Sequence, residues 1–148
     1  MRLGSVVSAA LAAFALLATN AGAAPAPASA AFLARTLDAH TTTLSAQHYA
    51  LAAGPLLGEA RANGAARIQV RLWAGQDYVF AAACEAACGV LTFRVVAPNG
   101  AVLAQDEGLG AMPVLRVRPA VTGRHSIEAA APRCRAQSCW FAVNVYAR

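Results

Sequence analysis

Three histidines, four cysteines, seven acids and twelve arginines are the side chains with which this chain could do chemistry. His40, His48 and His125 would serve acid–base or metal work. The zinc-protease pattern, two histidines four apart with a glutamate between them, is absent. His125 falls in phase with Ile127 on the inward side of a strand, the place of a hydrogen-bonded packing histidine. Ser45, Ser126 and Ser138 are the serines nearest these elements, but none sits in a Gly-x-Ser-x-Gly elbow. No glycine loop cradles phosphate, and without lysine there is no Schiff-base chemistry. The acids are scattered and do not mark the carboxylate pair of a glycosidase. The expectation is a protein with no catalytic residue, no cofactor and no metal site.

The cysteines read differently. Cys84 and Cys88 are separated by three residues, not the two of a thioredoxin-type redox motif. An even number in an exported chain points to structural disulfides. The short spacings suggest two clips, Cys84–Cys88 and Cys134–Cys139, each closing a turn between strands; the crossed pairings remain open.

Binding is the chemistry the sequence leaves available. Trp140, Asn144 and Tyr146 share one phase of the last strand, the phase opposite Phe141, Val143 and Val145. Trp73 falls on the phase of Arg71 in an earlier strand. Aromatic rings beside Arg and Asn are the composition of recognition surfaces, for a glycan or a partner protein. The competing reading packs these rings under the N-terminal segment or on a second sheet.

The elements that must position these residues begin after a leader. Arg2, the apolar run Leu3 to Ala18 and the small residues Ala21-Gly22-Ala23 have the order of a secretory signal, residues 1–23. The run is shorter than the ~20 apolar residues of a membrane anchor. The mature chain would then carry eleven arginines against seven acids, a balance of +4. These arginines are dispersed singly, so no nucleic-acid surface is expected; they read as the solvated polar face of alternating strands, with attraction to anionic cell-surface polymers as the lesser alternative. Residues 24–43 read as a tether, Ala24 to Ala30, and a short helix over Ala31 to His40, interrupted by Thr41-Thr42-Thr43. Residues 44–148 read as the folded domain. One early strand is expected within Leu44 to Leu57, broken near Gly54-Pro55.

From Arg67 the period is two. Strands are predicted at Arg67–Leu72, Asp77–Ala83, Val90–Val96, Ala101–Gln105, Val114–Arg118, His125–Ala129 and Cys139–Tyr146, with Pro98-Asn99-Gly100 as a strong turn. Short strands at regular spacing, with no long helix between them, predict an all-β sandwich or barrel.

Leu72-Trp73-Ala74-Gly75-Gln76-Asp77-Tyr78, the hairpin from Val95 to Ala104 and the pair Pro113-Val114-Leu115 and Thr122-Gly123-Arg124-His125 occur in a fixed order. In that order the chain, from about Leu56 to Tyr146, resembles the bacterial pre-peptidase C-terminal domain family. The resemblance implies a small antiparallel β-sandwich, jelly-roll-like, that elsewhere accompanies a secreted peptidase. Relatives' acidic positions are replaced here by Gly89-Val90-Leu91-Thr92, leaving Asp106 and Glu107, too few for calcium's six to eight oxygens. The function expected is that of a periplasmic or secreted module binding an envelope polymer, glycan or protein. Its alternatives are a structural envelope protein or an accessory domain to a separate peptidase.

Overall fold

The computed structural model describes residues 24–106 and 110–148. The expected signal, residues 1–23, and Glu107 lie outside them. One helix, α1 (Pro27–Ser45), precedes eight strands: β1 (Ala50–Arg61), β2 (Ala65–Leu72), β3 (Tyr78–Cys84), β4 (Thr92–Val96), β5 (Val102–Asp106), β6 (Val114–Val117), β7 (Gly123–Ala130) and β8 (Ser138–Ala147). They form two four-stranded antiparallel sheets, in the orders β1-β8-β3-β6 and β2-β7-β4-β5. The pairings nest: β4 with β5, β3 with β6, β2 with β7, β1 with β8. That wrap is a jelly roll.

The alternation seen from Arg67 onward sets the inner faces. Tyr78, Phe80, Phe141, Val143 and Val145 from the first sheet meet Leu72, Phe93, Val95 and Ile127 from the second in one core. Phe80 and Phe93 face each other across it, ring centroids 6.4 Å apart and tilted by 55°, an arrangement that aromatic quadrupoles favour. The Pro98-Asn99-Gly100 turn forms as expected. Asn99 Oδ1 accepts from the Ala101 amide at 3.1 Å, and Gly100 takes a φ of +87°.

Two early elements depart from expectation. The helix starts at Pro27, inside the expected tether, and runs through the three threonines to Ser45. Proline's fixed φ suits the first helical position. Each of Thr41, Thr42 and Thr43 donates its hydroxyl to the carbonyl four residues back, so the polar groups that argued against helix are satisfied within it. The helix ends where His48 adopts a φ of +64°. The early strand is one 12-residue element that continues through Gly54-Pro55. It does so by two register shifts against β8, between Leu51 and Ala53 and between Ala53 and Leu56. Gly54, at φ +125°, lies where a Cβ would meet Asn144 Oδ1 at 2.5 Å, so only glycine fits.

Both disulfides pair as the short clips, Cys84–Cys88 and Cys134–Cys139, each with a Cα–Cα distance of 5.9 Å. They close the β3–β4 and β7–β8 connections. Arg135 joins the two loops, its amide donating to Ala87 O at 3.0 Å and its guanidinium to Ala86 O at 2.8 Å. Two such bonds fit an oxidising, extracellular environment. No helix among the described residues is long and apolar enough to cross a membrane.

Candidate functional site

The sequence places Trp140, Asn144 and Tyr146 on the side of β8 away from the core, and so does the structure. What lies on that side is α1. Ser29, Leu33, Leu37, Thr41 and Leu44 recur at three- and four-residue intervals, so they line one stripe of the helix. Leu33 and Leu37 sit on Ala83 and Ala142, with Trp140 half-buried at their side. Leu44 packs with Tyr49, Val79, Ala81 and Tyr146. The polar members of the stripe act as pins. Ser29 donates to Glu85 Oε2 at 2.5 Å, and Thr41 Oγ1 meets the Tyr146 hydroxyl at 2.7 Å. Asn144 Nδ2 donates to that same hydroxyl at 3.0 Å. Tyr146 is 0% exposed and Asn144 6%. These three residues therefore form no free aromatic face, a correction to the expected ligand site. Strand phase tells which side a ring is on, and the helix decides whether water reaches it.

Trp73 and Arg71, the other two candidates, are left open. Trp73 is 53% exposed just beyond the end of β2, with the Arg71 guanidinium 5.7 Å from its ring centroid. They border the outer face of the second sheet, which no element covers among the described residues. Alternation puts Arg67, Gln69 and Arg71 of β2, Arg124, Ser126 and Glu128 of β7 and Arg94 of β4 on this face. The ladder pairs Arg67 with Glu128, Gln69 with Ser126, Arg71 with Arg124, and Arg94 with Glu128.

Glu128 is the hub. It is only 8% exposed. Its Oε1 accepts from Arg67 at 2.5 Å and its Oε2 from Arg94 Nε at 2.6 Å. The Arg94 hydrogen bond, helped by Arg67, holds its carboxyl below the ordinary glutamate value against the opposing effect of burial. The guanidiniums themselves stay wet, with the side chains of Arg67 and Arg94 65% and 51% exposed. One buried carboxylate thus fixes two arginines while leaving N–H edges of each turned to solvent.

The surface here is not flat. Three depressions, of about 330, 300 and 140 Å³, cross it. The first two share Glu128; the last two share Gln69 and Arg124. Together they make a shallow groove from the Thr92–Gln105 edge toward Trp73. Along β2 it spans roughly 20 Å, at about 3.3 Å per residue from Ala65 to Arg71. Four arginines line it against Glu128, with Asp106 at the rim. Such a surface has the chemistry to hold anionic groups, with one flat ring beside it.

The histidine chemistry has no counterpart here. His125 is wholly buried, its Nδ1 3.1 Å from Gly123 O, and that is the one hydrogen bond of its ring among the described residues. Among those residues no three His, Cys, Asp or Glu side chains gather as metal ligands. No protein-family model matches the chain, and no curated protein matches it as a relative. The resemblance to pre-peptidase domains thus rests on the quoted motifs. Sequence reasoning saw the outward arginines as a solvated strand face. It missed Glu128 as their hub because nothing local says that β7 lies between β2 and β4.

Proposed function

We propose that this protein is an exported, non-catalytic binding module whose groove on the second sheet takes an anionic cell-envelope polymer, such as an acidic glycan. The observation that carries the reading is the Arg67–Glu128–Arg94 cluster, two fixed guanidiniums in a groove whose end at Arg71 is neighboured by an exposed tryptophan. Fixing arginines in advance lowers the entropic cost of holding a ligand. The run of depressions suits an extended chain better than a small molecule, and Trp73 supplies a stacking platform. The leader and the disulfides support an envelope or extracellular setting, and the resemblance to a family of accessory domains supports a role without catalysis.

The test is a binding titration of the oxidised protein against uronic-acid-bearing, phosphate-bearing and neutral glycans. Acidic glycans should bind, weaken as salt rises from low to physiological strength, and lose about tenfold in affinity with Arg94→Gln or Trp73→Ala. Equal binding of neutral and acidic glycans, or indifference to both substitutions, would overturn the reading. The burial of Tyr146 favours a second reading, a structural envelope protein acting through protein contacts. Crosslinking of the chain in intact envelopes to a protein partner, without any glycan binding, would select it.

A further inference from the structure

A second basic site lies at one end of the first sheet and shares no lining residue with the groove. Tyr49 in the turn after α1, Asp77 and Tyr78 at the start of β3, Arg116 and Val117 of β6, then Arg118 and Arg148 line a cleft of about 320 Å³. Tyr49 is its fixed floor: the ring is 5% exposed and packs on Leu44, Val79 and Tyr146. Two guanidiniums gather at that one ring, Arg148 at 4.7 Å and Arg116 at 5.7 Å from its centroid. Stacking of this kind holds a cation without neutralising it.

The charges do not cancel. Arg116 donates to Tyr49 Oη at 3.3 Å and to Gln47 Oε1 at 3.2 Å, both neutral acceptors. Asp77 is the single carboxylate side chain lining the cleft, and its ion pairs are long, 3.6 Å to Arg148 and 3.9 Å to Arg118. Counting side chains, three positive charges meet one negative. Like charges brought this close repel unless an anion joins them. Guanidinium forks match the oxygens of phosphate in pairs, and a surplus of two positive side chains matches a dianion better than a single carboxylate.

We propose that this cleft binds a phosphate monoester, held by Arg116 and Arg148 with Arg118 at its mouth. The phosphate could belong to a soluble metabolite or to a lipid headgroup, and the test separates the two. Arginine side-chain NMR of the oxidised protein would follow titrations with inorganic phosphate, glycerol 3-phosphate and acetate. Saturable shifts should appear at Arg116, Arg148 and Tyr49, with acetate about tenfold weaker. Arg116→Gln should weaken phosphate about tenfold, Arg116→Lys should retain part of the affinity, and Arg35→Gln on the exposed side of α1 should change nothing. Phosphatidylcholine vesicles with and without phosphatidic acid form the second arm. Vesicle binding that needs phosphatidic acid and Arg116 assigns a headgroup; binding of the soluble esters alone assigns a metabolite. The proposal fails if no phosphate shift saturates, if acetate equals phosphate, or if Arg116→Gln leaves affinity unchanged.

Discussion

The two outer faces of this sandwich are built alike and finished in opposite ways. Each belongs to four antiparallel strands whose alternate residues point away from the shared core. On the first sheet those residues are Val79, Ala81, Ala83, Ala142 and Tyr146, and a helix roofs them. On the second they are Arg67, Gln69, Arg71, Arg94, Ser126 and Glu128, and they meet water. The first face carries stability, because apolar area withdrawn from water contributes roughly 25 cal/mol per Å². The second contributes little of that kind and keeps fixed charges available. A face that stays charged where a neighbouring one is covered is the better place to look for a ligand.

Substitution on each side breaks or sharpens this contrast. The largest effect belongs to the roofed face. Leu37→Ala leaves a void over Ala83 and Ala142 and should cost about 2–4 kcal/mol in denaturant unfolding. A loss near zero would mean that the helix does not help to hold the first sheet. Next comes the hub of the open face. Arg67→Ala with Arg94→Ala removes both charged partners of Glu128 and opens it to water, and should cost about 1–2 kcal/mol at neutral pH.

That double variant also changes the response to acid. In the native protein the depressed Glu128 value means its stabilisation is present above the ordinary glutamate range and lost as pH falls through the folded value. Without the arginines nothing holds the carboxyl below the ordinary glutamate value, so the variant has no such stabilisation to lose as pH falls. The stability gap between native and variant should therefore narrow on acidification. A gap that stays constant would show that Glu128 does not depend on its arginines. The smallest effect belongs to Ser126→Ala. It removes an exposed hydrogen bond from Gln69 and should move stability by no more than about 0.5 kcal/mol.

Much of this was legible in the residues, and the exceptions have physical causes. Seven strands follow from a period of two, since Ile68, Val70 and Leu72, or Phe141, Val143 and Val145, need a core on one side only. The first strand was obscured because Gly54-Pro55 and two register shifts break its period. The helix was cut short at the threonines because their competition with the backbone is local, whereas the stripe from Ser29 to Leu44 that overrides it depends on a distant sheet. The same ignorance of distant partners misplaced the ligand face: Tyr146 has the right phase, yet Leu44 and Thr41 cover it. Trp73 and Arg71 kept their exposure because they border a face without a roof.

The position of β8 has a consequence for how the molecule comes into being. It is the last strand in chain order, yet it lies between β1 and β3, hydrogen-bonded on both edges. Until it is synthesised, β1 lacks its only ladder partner among the described residues and the central slot of the first sheet stands empty. A nascent chain therefore cannot finish folding ahead of its own C-terminal strand.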